Sequence, residues 1–387
     1  MSDYASFRPV KALCFQKDSL LYDFIFDYIY CTTFCIQHAR GCFPIIEQRN
    51  SRPSPQIPPP GILTTPDLAG KMILELTYYE QGEMQLRKQN ENDLLEETLA
   101  IAEQGYAEAY SFLRNAYERN AENLGPQAFY FLACLAGGAG MPEAALEWLR
   151  KAIAEKGWWY RPEVLEDDDL AALNGNAAFL ALKALSDARY ASASGQARAV
   201  FSWERKTADK VFLAVHGNTQ NAQTARADWA PVFAEADSWQ IETIQSAEPD
   251  GYGTYRWSYD STAYLPVAEA MERLRGAGYS EIVCGGFSAG CDMLLRAVTL
   301  TPARCGALIL QSPWLPVLEA QGDAVVSALR QKGIALRLLC GSEDEDCLPM
   351  AKQLYDAAQR EGLDAKLTIQ AHTRHQFPAE PYPFSSL

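Results

Sequence analysis

The chain is poor in histidine. Only His38, His216, His372 and His375 occur in 387 residues, so any reaction needing an imidazole base has few candidates to draw on. Positive charge is also scarce: 34 Lys and Arg stand against 49 Asp and Glu, for a net charge of −15. That balance opposes binding to nucleic acid or an anionic membrane surface, because phosphate contacts need clustered cations. No apolar run reaches bilayer length. The best candidate, residues 20–36, is interrupted by Asp23 and Asp27, whereas a crossing helix needs about 20 predominantly apolar residues. No secretory pattern is visible, so the expected location is the cytoplasm and the ten cysteines are expected to stay reduced. With 48% hydrophobic and 21% charged residues, the chain has the composition and length for two globular domains.

Residues 1–68 read as a poorly ordered N-terminal segment ending in a linker. Pro53, Pro55, Pro58, Pro59 and Pro60 crowd together before Gly61, a composition that favours extended polyproline conformation. Helical patterning opens at Met72, near which the functional protein is expected to start. Cys31, Cys35, His38 and Cys42 follow one another at helical spacing. On a straight helix the outer pair stands roughly 16 Å apart, too far for one tetrahedral ion with bonds of about 2.0–2.3 Å. No metal and no organic cofactor is expected.

Residues 72–190 read as an all-α domain. Leu94, Leu95, Leu99 and Ala102, then Phe131, Leu132 and Leu135, recur at helical spacing. The pattern Ala-x3-Leu-x2-Ala occurs twice, at Ala109–Ala116 and at Ala145–Ala152, an offset close to the ~34-residue period of helix–turn–helix repeats. On these residues the segment resembles a tetratricopeptide-like array, with residues 129–182 looking like its closing repeat. The resemblance implies a surface for a protein or peptide partner. The other reading is a helical cap packed on the next domain.

Residues 191–206, rich in Ser, Ala and Gly, mark the boundary of a second domain at 199–387. Strands are expected at Val211–Val215, Gln240–Ile244, Glu281–Phe287, Gly306–Gln311, Ala335–Cys340 and Ala365–Gln370. Helices are expected at Ala225–Ala236, Ser261–Ala277, Ala289–Leu300, Ala320–Lys332 and Leu348–Glu361. This alternation, with the first, third, fourth and fifth strands nearly continuous apolar runs, predicts an α/β fold with a doubly wound, mostly parallel sheet.

The chemistry concentrates at Gly286-Phe-Ser288-Ala-Gly290, a Gly-x-Ser-x-Gly pattern where a strand ends and a helix begins. Such a turn lifts the serine hydroxyl above the sheet, and the helix N-terminus adds partial positive charge. A serine needs a base. His375, in His-Gln-Phe-Pro, resembles the histidine loop of the α/β-hydrolases and is favoured over His372, and His216 reads as structural. The turn Gly341-Ser-Glu-Asp344 resembles the acid turn of the same family, so Asp344 is the choice for the orienting acid, with Glu343, Glu345 and Asp346 as surface charges. The sequence of His-Gly loop, Gly-x-Ser-x-Gly, Gly-x-x-Asp and His resembles the α/β-hydrolase family over 207–387. It is closest to carboxylesterases of the phospholipase/carboxylesterase or dienelactone hydrolase kind.

The resemblance implies a Ser288–His375–Asp344 triad, an oxyanion hole from the backbone N–H groups of Asn218 and Ala289, and hydrolysis of a small or medium ester or thioester. Two departures stand out: Ala289 where those esterases often carry Gln, and a short, proline-containing tail after His375. Tyr255, Trp257 and Trp314 are candidates for an apolar substrate pocket. A serine peptidase or amidase would use the same triad, and a helical-repeat interaction protein with a vestigial hydrolase is the third reading.

Overall fold

The computed structural model describes residues 94–95, 97–99, 101–120, 124–234, 238–259 and 262–378. The expectations for residues 1–68, including the proline-rich linker, the start near Met72 and the Cys31–Cys42 spacing, lie outside the described residues.

The first part is helical: α1 (Tyr106–Asn120), α2 (Pro126–Gly138), α3 (Pro142–Leu149) and α4 (Ala177–Gln196). Helix α2 is apolar all round and buried along Pro126–Ala136, so it forms the axis on which the others pack. Ala109 and Leu113 of α1, and Ala145 and Leu149 of α3, turn into this core. Tyr117, Phe129 and Trp148 lock the packing edge to face, with centroids 4.7–5.6 Å apart. The stretch 162–173, expected to be α-helical, forms two short 3-10 turns instead. Pro162 starts the first, and the Asp167 side chain, which accepts the Asp169 N–H, nucleates the second.

The second part is built on a seven-stranded sheet. Its strands are β1 (Val200–Phe201), β2 (Lys210–Val215), β3 (Trp239–Gln245), β6 (Glu281–Phe287), β7 (Ala307–Gln311), β8 (Ala335–Gly341) and β9 (Ala365–Gln370). A separate hairpin pairs β4 (Glu248–Gly251) with β5 (Thr254–Arg256). The sheet order is β1-β3-β2-β6-β7-β8-β9, all parallel except β1.

Among the described residues, five α-helices accompany the sheet: α5 (Ala222–Trp229), α6 (Leu265–Gly276), α7 (Ala289–Leu300), α8 (Val317–Lys332) and α9 (Cys347–Arg360). Alternate residues of β2 serve the two faces. Val211, Leu213 and Val215 enter the larger core under α6–α9, while Phe212 and Ala214 meet Ala225 and Trp229 of α5. The chain runs from β2 to β3 on one side, then crosses to β6 on the other. The loops leaving the carboxyl ends of β2 and β6 therefore flank a topological switch point, where such sheets bind ligands.

Candidate active site

Ser288 occupies the switch point between β6 and α7. Its backbone is held at φ 51°, ψ −124°, a conformation that L residues adopt only under constraint. The two motif glycines follow from backbone crowding. A Cβ on Gly286 would sit 2.7 Å from the Cys291 nitrogen, and one on Gly290 would sit 2.5 Å from the His216 carbonyl oxygen. Thr219 (φ 57°), Ser312 (φ 44°) and His372 (φ 52°) share the positive-φ region, and all four lie in loops at the carboxyl end of the sheet. Strain is thus gathered at one edge.

Asp344 follows β8 and His375 follows β9, adjacent parallel strands. His375 Nδ1 stands 2.9 Å from Asp344 Oδ2, and both side chains are buried. The opposite ring nitrogen, His375 Nε2, is buried with no hydrogen-bond partner. The His375 ring packs edge-on against Phe287, whose neighbour is Ser288, at 5.0 Å between centroids. Burial by itself would raise the Asp344 pKa. The charge and hydrogen bond of His375, the Cys347 N–H at 3.1 Å and the Ser312 hydroxyl outweigh it and hold Asp344 below its ordinary value. Asp344 is thus an ionised acceptor fixed on several sides. His372 lies exposed, 3.5 Å from Glu343, away from this pair.

His216 is a structural element of the loop after β2. Its Nε2 accepts the Ser246 N–H at 3.1 Å, so Nδ1 carries the proton and donates it to the Gly217 carbonyl at 2.6 Å. Burial pushes its pKa down to about 4. The same loop is braced by Gln220, whose Oε1 accepts the Gly217 N–H at 2.7 Å and whose Nε2 donates to Asp228 at 3.2 Å. Asn218 Oδ1 accepts the Trp257 N–H at 2.6 Å.

Residues 90–194, which contain α1–α4, match the family model described as A/B hydrolase-like, N-terminal domain. The mainly parallel sheet with its flanking helices matches an α/β-hydrolase fold. No curated protein matches the chain. Among solved structures, an uncharacterised protein from Bacillus cereus ATCC 10987 is 25% identical over 74% of this chain and 94% of its own, with a TM-score of 0.42. Esterase PE8 is 16% identical over 48% and 92%, TM-score 0.39. Acyl-protein thioesterase 2 of Zea mays is 14% identical over 48% and 94%, TM-score 0.35.

The three aromatic residues singled out for a substrate pocket take different positions. Trp257 is 1% exposed; it stacks on His216 at 4.9 Å and donates its indole N–H to the His216 carbonyl at 2.8 Å. It therefore supports the loop from beneath. Tyr255 is half-buried and pairs through its backbone with Gln220. Trp314 is half-buried against Cys340, Cys347 and Ala351.

Sequence reasoning missed Ser312, Gln220, Gln311 and Cys347. Gln311 and Gln370 exchange side-chain amide bonds of 2.9 and 3.1 Å, and Gln311 also donates to the Gln376 carbonyl at 3.1 Å, which anchors the loop bearing His375. A glutamine closing each of two expected strands, Gln311 and Gln370, was the available signal. Among the described residues, no helix is long and apolar enough to cross a membrane.

Proposed function

We propose that the protein is a serine hydrolase that cleaves a small or medium carboxylic ester or thioester through an acyl-enzyme. Ser288 attacks the carbonyl carbon, and His375 Nε2 takes the hydroxyl proton. Asp344 holds the ring and stabilises the imidazolium without being protonated. The charge that develops on the carbonyl oxygen is received by the backbone N–H groups of Asn218 and Ala289; losing one such donor typically costs about 2.7–4 kcal/mol. His375 then returns the proton to the leaving group, and water repeats the sequence in reverse to release the acid. Tyr255 and Trp314 are assigned to the pocket wall, with Trp257 holding the oxyanion loop. The reaction needs no cofactor.

The observation that carries this reading is the buried His375–Asp344 pair, whose imidazole packs on Phe287, the residue that precedes the positive-φ Ser288. A fluorophosphonate probe tests it. Wild-type protein is expected to label stoichiometrically and Ser288→Ala not at all. Equal labelling of both chains, or none in folded wild type, defeats the reading. A panel of p-nitrophenyl esters and aminoacyl anilides then separates esterase from peptidase, with faster turnover of esters expected.

A further inference from the structure

We propose that Asp344, Cys347 and His375 form a binding site for a thiophilic divalent cation of the zinc class, and that its occupation switches the hydrolase off. The switching rests on the triad reading above; the binding site does not.

The serine mechanism has no use for the Cys347 side chain. This residue opens α9, three positions after Asp344, and is buried. Its Sγ lies 3.3 Å from His375 Nδ1, the nitrogen that Asp344 Oδ2 approaches to 2.9 Å. One sulfur, one carboxylate oxygen and one imidazole nitrogen thus lie within 4.8 Å of one another. A tetrahedral zinc ion, with bonds of about 2.0 Å to N and O and about 2.3 Å to S, spaces its ligands by roughly 3.3–3.5 Å. The two nitrogen distances fall within a few tenths of an ångström of that spacing, so the cage needs only a small expansion. Thiolate, imidazole and carboxylate together suit zinc and its neighbours, while magnesium and calcium require oxygen shells. Three protein ligands leave a fourth position for water.

Charge also favours the site. The cation displaces the Cys347 thiol proton to solvent and forms a metal–sulfur bond. With the Asp344 carboxylate, the two negative charges cancel the ion's two positive ones, so the buried site is neutral overall. The His375 lone pair on Nδ1 goes to the metal, and the ring proton moves to Nε2. An Nε2 that already carries a proton cannot accept one from Ser288, so the nucleophile is left without its base.

The test separates binding from activity. Full-length Ser288→Ala protein, silent in hydrolysis, is titrated with ZnCl2 by calorimetry and with CoCl2 by absorption. One equivalent of zinc and a near-ultraviolet thiolate-to-cobalt band are expected. Adding Cys347→Ala should abolish the band and weaken zinc binding at least about tenfold, the lower end of what disturbing even an outer-sphere partner costs. The near-isosteric Cys347→Ser should lose the band while keeping the fold. In the wild-type chain, ZnCl2 is expected to block ester turnover and fluorophosphonate labelling, reversibly with EDTA, and the Cys347 variants should resist. A cobalt band that is missing, or that survives in Cys347→Ser, overturns the site. Equal zinc inhibition with and without Cys347 overturns the switch. If the metal-free wild type neither labels nor turns over while the cobalt band stands, the triad reading fails and the site survives.

Discussion

At the scale of single residues, the site depends on a few side chains whose neighbours fix their state. Asp344 accepts from His375, from the Cys347 N–H and from Ser312. Asp344→Asn keeps the shape but presents a donor where an acceptor is needed, so kcat is expected to fall by about 10⁴-fold, as for other triads changed this way. Steady-state kinetics on a p-nitrophenyl ester measures it; a loss below tenfold removes Asp344 from its assigned role. Ser312→Ala deletes only one of the acceptor's partners, and a far smaller drop is expected. Gly290 is limited by backbone, not chemistry. A methyl there meets the carbonyl oxygens of His216 and Val215 at 2.5 and 2.6 Å. Gly290→Ala should therefore cost about 1–3 kcal/mol of overpacking, read from the urea midpoint. Ser288, Asp344 and His375 could be proposed from sequence because each stands in a short local pattern. Ser312 and Cys347 were not: nothing local shows that two loops bring a hydroxyl and a thiol to the same carboxylate and ring.

At the scale of elements, the hairpin β4–β5 ties the two parts of the chain together. On one side the Tyr252 N–H donates to the Trp159 carbonyl at 3.1 Å, Tyr160 bridges Gly251, and Arg161 meets Asp250 at 3.6 Å. On the other, the Tyr255 N–H donates to Gln220 at 2.8 Å and Asn221 donates to the Gly253 carbonyl at 3.0 Å. Residues 159–161 thus brace, through the hairpin, the loop that carries Asn218. Trp159→Ala removes the ring that meets Tyr252 at 6.4 Å. It is expected to lower kcat several-fold with less effect on KM, since the bound ground state leans less on the oxyanion loop than the transition state does. Unchanged kcat in folded protein would show that the hairpin transmits nothing. The six parallel strands were readable to within about a residue, four of them from apolar runs. Helix α5 begins earlier than expected because Asn221 caps it, accepting the Thr224 N–H at 2.8 Å, and Pro231 then converts its end to a 3-10 turn. The hairpin itself went unread as strand, since Pro249 and two glycines argue for a loop and its outer partner comes from the distant helical part.

At the scale of the molecule, buried ionisable groups set how stability responds to pH. Burial foremost pushes Asp167 up to about 6 and Asp169 up to about 7, in the helical part. Both pKa values exceed their unfolded ones, so between about pH 4 and 7 the folded chain holds more protons and stability falls as pH rises. His216, pushed down to about 4, works oppositely below about pH 6.5 and cancels roughly one of the two carboxyls. Urea midpoints at pH 5 and pH 8 should therefore favour pH 5. Asp169→Asn should narrow the gap by gaining stability mainly at pH 8; a gap unchanged by that substitution refutes the assignment. The sequence by itself determined where the strands lie, which residues end them and which glycines the serine turn demands, because apolar periodicity and backbone sterics act over a few neighbouring residues. Tertiary structure decided which strand ends meet. The order β2-β6-β7-β8-β9 aligns the carboxyl ends of β8 and β9, so Asp344 and His375 meet and Cys347 joins them. Such contacts depend on strand order and register over long separations, which no local pattern encodes.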